Sequence, residues 1–457
     1  MTDLCHLTAL EHKRLLDSGA LSSLELVDAQ IARITGSNPK INAFVTLDAD
    51  RARDEARRKD DERASGHAEG VLHGLTVGVK DCFATRGIRT TWGSQACARH
   101  VPDHDHLVVE RERRAGAIIL GKLNTPEFTM ARNTCDNPVF GATRNPWDTR
   151  LCPGASSGGS AAALSAGMVS LADGSDIGGS LRNPAAWCNV VGHRPTSWMV
   201  PDVPNPLLWH NMNSPGPMAR SVADAALFLS VLAGPDPRSP VVVAAPFPAG
   251  PVDLAIDLSG LRIGWSCDHG SLDIDPSIRT TFMAGLEVFS DLGARLTQCD
   301  IDVGGVSETS RRLCEQRVAR DVGAVHGPGV DPVLVRRAQS AETMSGRDIL
   351  EAEACRHRVW ADLVRAFQDN DVLLWPDDPC DAIGFDDDMA GDLIDWTLLY
   401  VSPLVGLPTT TVPCGFSDSG IPRGLQVIAP PGRDLLALQV AFAFEQATGY
   451  TCLHPPL

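Results

Sequence analysis

From Leu151 to Ala172 the chain carries no charged side chain. A run of that length could in principle cross a bilayer. This one contains Pro153 and is full of Gly and Ser, so it reads as a buried loop leading into a buried, Ala-rich helix, AAALSAGMVSLA (161–172). A segment of this kind needs a large folded core around it to keep its apolar surface from water. The rest of the chain can supply one: 43% of its 457 residues are hydrophobic and 21% charged, the composition of a folded globular protein.

The periodicity around that segment points to an α/β architecture. Ser22-Ser23-Leu24-Glu25 is a capping box, followed by Leu26, Val27, Ile31 and Ile34 at helical spacing, with Gly36 as the expected stop. Ser221 opens a second helix that runs apolar to Leu232 and ends at Gly234. Asp275-Pro276 opens a third, with Ile278, Phe282, Leu286 and Phe289 on one face. Between helices lie LTVGV (75–79), AIIL (117–120), LRIGW (261–265), DVLLW (371–375) and TTTVP (409–413), short runs that fit buried strands. The alternation predicts one large α/β domain in which helices sandwich a mixed central sheet. Within it we expect an N-terminal helical segment (about 1–60), a core carrying the chemistry (about 61–235) and a C-terminal part of the sheet with a helical insertion (about 255–457). VVVAAPFPAGP (241–251) is expected as a surface connection between the last two.

The formal charge of −17 and pI near 5.1 argue against a nucleic-acid or anionic-membrane surface, which needs clustered Lys and Arg. The N-terminal MTDLCHLTALEHKRLLDSG has charges every few residues and no apolar h-region, so no secretory signal is expected. Thirteen cysteines without CxxC pairs or regular spacing suggest reduced thiols in a cytoplasmic protein rather than a zinc site or a disulfide framework.

GASSGGS (154–160) is the stretch that decides the chemistry. A flexible linker does not run straight into a buried helix. A phosphate cradle would need GxGxxG or GxxxxGK[ST], and neither is present, although exposed amides at a helix start could still bind an anion. Gly154-Ala155-Ser156-Ser157-Gly158 fits the GxSxG elbow, with His326, His357 or His454 in the right order as partner. RNPWDTRLCP (144–153), however, cannot be the central strand that the elbow requires. A fourth reading takes in the second unit, Gly178-Gly179-Ser180, after Asp176-Ile177. Consecutive glycines can turn several N–H groups toward one point, and a serine among them could attack a carbonyl carbon. His193 is nearby, and its expected role is structural. Lys80, at the end of LTVGV, could be the base if burial keeps its amine neutral, although a solvated strand end is the plainer reading of such a lysine.

Lys80 in GVKD, Ser156 in GASSGGS and Ser180 in GSDIGGSLRNPAAWCNVVGHRP together resemble the amidase signature family. KLNTPEF (122–128), DNPVFGATRNPW (136–147), SPGPMARSVADAALFLSVLAG (214–234) and GLPTTTVPCGF with GIPRGLQVIAPPGRD (406–434) extend the resemblance over nearly the whole chain. It implies a triad in which Ser180 is the nucleophile and Ser156, preceded by a cis peptide, links it to Lys80. The amides of Ile177, Gly178, Gly179 and Ser180 would hold the oxyanion. Ser157, Asp176 and Arg182 would brace the site, and no metal or cofactor is implied. Ala155, Ser175 and the pair His193-Arg194 depart from the usual residues, and the last two look peripheral.

Met130, Phe140, Asn183, Leu207 and Trp209 are expected to line the substrate pocket. The activity implied is hydrolysis of amides, anilides or carbamates through an acyl-enzyme. The alternatives are the amidase subunit of a tRNA-dependent amidotransferase, which delivers ammonia to a partner, and a catalytically silent binding homologue. The partners expected are a small-molecule amide or carbamate, with no nucleic acid and no membrane, in a monomer or homodimer.

Overall fold

A computed structural model describes residues 3–243, 247–323, 329–385 and 394–457. The five apolar runs read as strands all enter one sheet. In chain order its strands are β1 (Phe44–Leu47), β2 (Thr76–Lys80), β3 (Ile118–Leu123), β4 (Leu171–Asp176), β5 (Val191–Arg194), β6 (Ser214–Ala219), β7 (Arg262–Trp265), β8 (Arg295–Gln298), β9 (Val372–Pro376), β10 (Thr409–Phe416) and β11 (Pro422–Ile428). They lie in the order β1-β3-β2-β4-β6-β5-β10-β11-β9-β7-β8. The sheet is mixed: β2 runs parallel to β3 and β4, and β7 runs parallel to β8 and β9. β4 meets β6, and β10 meets β5 and β11, antiparallel.

Alternation along the strands builds a core on each face. Val372 and Leu374 of β9 join a cluster with Phe228, Phe282, Phe289 and Phe444, from helices Val222–Leu232, Pro276–Asp291 and Asp434–Thr448. Leu373 and Trp375, their neighbours, pack on the opposite side with Leu313, Val359 and Leu363. Ile119 of β3 likewise faces the first cluster, while Ile118 and Leu120 meet Val27, Ile31 and Ala161–Leu164. Helices cover both faces of one sheet, as the sequence predicts.

Two local expectations change. The helix opened by the Ser22 capping box runs through Gly36 and Pro39 to Ile41. Ile41 is fully buried, and Asn42 takes over the left-handed stop (φ 57°). The Ala-rich helix is shorter than 161–172. It spans Gly158–Ser165, Gly167 (φ 70°) turns the chain, and Leu171 begins β4. Within the connection at 241–251, residues 244–246 lie outside the described residues, as does His326. Among the described residues no helix is long and apolar enough to cross a membrane, and the thirteen cysteines are free thiols.

Candidate active site

Lys80 ends β2, flanked by β3 and β4, and its side chain is fully buried. Its amide donates to Asp173 Oδ1 of β4 at 2.6 Å. Its Nζ lies 2.8 Å from Ser156 Oγ, 2.9 Å from Ser157 Oγ and 3.1 Å from Ser175 Oγ. Burial pushes the amine below the usual lysine range, against the opposing pull of anionic neighbours that include Asp173 and Asp176. Three hydroxyls can satisfy a neutral amine, which accepts from one and donates to two. Activity is therefore expected to fall as pH drops through the depressed Lys80 pKa, because protonation removes the lone pair. The acid limb of the kcat/KM profile measures this, and the limb should be missing from the residual rate of Lys80→Met.

The chain around Ser156 is shaped to meet that amine. The Ala155–Ser156 peptide is cis, and Gly154 before it has φ 83°. The amide of Ala155 donates to Asn183 Oδ1 at 3.0 Å, and Thr125 Oγ1 donates to the Ser156 carbonyl at 3.0 Å. Gly159, in the first turn of the following helix, packs so tightly on Asn124 that a Cβ would stand 2.3 Å from the Asn124 nitrogen. The Ser157 amide donates to the Ser180 carbonyl at 3.2 Å, tying the two Gly-Ser loops together. Ser180 is 8% exposed, and its hydroxyl makes no hydrogen bond to a described residue. The structure thus joins Lys80 to Ser156 directly, and Ser180 to Ser156's loop through backbone.

Asp176 organises the second Gly-Ser loop. Its carboxylate accepts from the Gly179 amide at 2.8 Å, from the Leu181 amide at 3.3 Å, and from Arg182 Nε at 2.9 Å and Nη2 at 3.1 Å. Burial alone would raise its pKa, but Arg182 and Arg194 hold it below the usual carboxylate value. Arg182 also donates to Gln426 Oε1 (2.7 Å) and to the Leu399 carbonyl (2.6 Å). One expected oxyanion donor changes: the Gly179 N–H is already spent on Asp176. The amides of Ile177, Gly178 and Ser180 make no hydrogen bond to a described residue. Tyr400 and Leu399 back this loop so closely that a Cβ on Gly178 or Gly179 would collide with them, at 2.6 and 2.7 Å.

Arg194 is not peripheral. Its guanidinium donates to the Asp176 carbonyl and to the Met212 carbonyl, and lies 3.7 Å from the Asp176 carboxylate. Ser175 reaches Lys80. Both residues stand in motif stretches of the sequence, but their contacts depend on β4, which the periodicity did not reveal. His193 bridges Thr410 Oγ1 and Asp434 Oδ1 at 2.9 and 3.3 Å, deep in the core.

The expected pocket residues fare differently. A cavity of about 260 Å³ reaches Ser175 and Cys82 and is lined by Trp92, Phe128, Asp202 and Arg317 among others. Met130, Phe140, Asn183, Leu207 and Trp209 do not line it. Trp209 is 75% exposed, and Phe140 lies under the Arg89 guanidinium. Leu207 is half-buried, and Met130 is half-buried against Phe128. Asn183 is buried with both ends of its amide engaged, on Ala155 and, at 2.8 Å, on Asp378 Oδ1.

The Amidase family profile matches residues 25–438. The chain belongs to the amidase signature family. It is a hydrolase of carbon–nitrogen bonds other than peptide bonds. As an amidase signature protein it is 37% identical to the glutamyl-tRNA(Gln) amidotransferase A-subunit of Synechococcus sp. (strain CC9605), over 94% of each chain. Its fold matches that of a bacterial aryl acylamidase of the same family with a TM-score of 0.90, at 28% identity over 97% of each chain. It also matches the A-subunit of the Thermotoga maritima glutamyl-tRNA(Gln) amidotransferase at 0.83, 26% identical over 100% of this chain and 98% of that one.

The amidotransferase relatives overturn one expectation. A small-molecule partner alone, no nucleic acid, and a monomer or homodimer are all withdrawn, because by name these relatives are subunits of an enzyme that acts on glutamyl-tRNA(Gln). Net charge describes one chain's own surface and says nothing of a nucleic acid carried by a partner chain.

Proposed function

We propose that this chain hydrolyses a primary carboxamide as the amidase subunit of a tRNA-dependent amidotransferase, releasing ammonia for a partner. What carries the reading is 37% identity to an amidotransferase A-subunit over nearly its full length, combined with the Lys80–Ser156 hydrogen bond and a Ser180 loop tied by backbone to Ser157.

Neutral Lys80 accepts the Ser156 proton as Ser156 takes that of Ser180, and Ser180 Oγ bonds to the carboxamide carbon. The amides of Ile177, Gly178 and Ser180 stabilise the oxyanion. The C–N bond then breaks, the relay returns the proton to the leaving nitrogen, and an ester remains on Ser180. Water, deprotonated along the same path, releases the acid and restores the Ser180 hydroxyl.

A second reading, a stand-alone hydrolase of anilides or carbamates, is favoured by the TM-score of 0.90 with the aryl acylamidase. Glutamine, a nitroanilide and a nitrophenyl-amine carbamate, each tried with the purified chain alone and with the other amidotransferase subunits added, separate the two. Ammonia release from glutamine that rises with the partners is expected. Turnover of the anilide or carbamate by the chain alone, with glutamine untouched, would sink the amidotransferase assignment.

A further inference from the structure

Beside the backbone of Lys80 lies a pair of acids that the mechanism does not use. Glu112 sits in helix Leu107–Arg114, with its side chain fully buried. Neither of its carboxyl oxygens has a hydrogen-bond donor among the described residues, and the same holds for Asp173 Oδ2. The two carboxyl groups lie close enough for each to act on the other's proton. Two carboxylates cannot face one another in a buried site without a donor, so at least one proton must lie between them. The other oxygen of Asp173, Oδ1, accepts the backbone N–H of Lys80.

The charges that surround the pair are few. Lys122 is also buried, and its Nζ donates to the Phe83 carbonyl and to Thr85 Oγ1 at 2.8 Å. Asp81 is held by Thr91, Arg113 lies 3.2 Å from Asp105, and burial keeps the Cys82 thiol protonated by raising it to about 11. Burial also raises both acids of the pair, Asp173 to about 7; of the two lysines that act on Asp173, Lys122 is held by its two acceptors and Lys80 is the one that faces the relay.

We propose that the Glu112–Asp173 pair binds the proton that Lys80 would otherwise take, and so keeps the amine of the relay neutral as the pH falls. The two acids are positioning residues that act through Lys80. As the pair gains its second proton, the negative charge beside Lys80 disappears, and with it the field that would favour a lysine cation. This inference rests on the Lys80 relay but not on which amide is cleaved.

Opposite shifts in two near-isosteric variants test it. In Glu112→Gln the amide donates to Asp173, which then stays anionic without a shared proton and raises the affinity of Lys80 for one. In Asp173→Asn the acceptor for the Lys80 amide is kept, but the nearest negative charge is gone. The rate at which a fluorophosphonate labels Ser180, followed against pH, reports the protonation of Lys80 without needing a substrate.

The acid limb should move up by roughly one pH unit in Glu112→Gln and down by a similar amount in Asp173→Asn. Limbs that stay in place, or that move the same way, overturn the proposal. Infrared spectra of the wild type and Glu112→Gln at neutral pH supply the second readout. A protonated-carboxyl C=O band lost in the variant is expected, and its absence from the wild type overturns the shared proton whether or not the protein turns over an amide. If Ser180 resists labelling at every pH while that band is present, it is the hydrolase mechanism that fails.

Discussion

Ser180→Ala is expected to lose amide hydrolysis by a factor on the order of 10⁴ or more while keeping the fold. Removing Oγ takes away the proposed nucleophile, beside the amides of Ile177, Gly178 and Ser180, which make no hydrogen bond to a described residue. It disturbs little else, because the Ser180 hydroxyl makes no hydrogen bond to a described residue. Its carbonyl, which accepts from Ser157, is retained. The measurement is kcat/KM beside a thermal melt of the same preparation. A melt that stays in place with a collapsed rate is the expected pairing, and a variant within tenfold of wild type would rule Ser180 out as nucleophile.

Arg182→Ala is expected to have the largest effect on stability. The Arg182–Asp176 pair has no exposed side-chain surface on either side. Truncation leaves Asp176 buried with only Arg194 for compensation, and strips donors from Gln426 and the Leu399 carbonyl. Breaking a buried pair from one side costs about 3–5 kcal/mol. Asp176 also anchors the Gly179 and Leu181 amides, so the donor geometry at 177–180 should loosen and the rate should fall beyond any loss of folded protein. Urea unfolding gives the stability, and turnover per folded molecule gives the rest. A stability loss under about 1 kcal/mol would mean that the pair contributes little against its own desolvation.

The sheet was legible where its strands are apolar on both faces. LTVGV and DVLLW read as strands because nothing else accommodates so much branched side chain between Gly, Pro or Asp boundaries. β4, LADGSD, was hidden: two aspartates and a glycine give it no strand propensity, and it is held by β2 on one side and β6 on the other. That one strand carries Asp173, Ser175 and Asp176, so the contacts of Lys80 and the importance of Arg194 were hidden with it.

The Lys80–Ser156 contact was legible through its motifs, since the glycines and serines sit where the chain must turn tightly. The pocket was not. Phe128 and Thr129, Asp202, and Arg317 come together at the cavity from three separate stretches of the sequence that share no pattern. Trp209 and Phe140, expected at a pocket from the segments they fall in, do not line this cavity.

The central claim, that Ser180 carries the acyl group in a relay ending at Lys80, is tested most directly by trapping that ester. The protein is mixed with whichever amide it turns over, quenched in acid within one turnover, digested and weighed by mass spectrometry. The acyl mass is expected on the peptide containing Ser180, and none in Ser180→Ala. An acyl group on another residue, or undiminished turnover in Ser180→Ala, would contradict it.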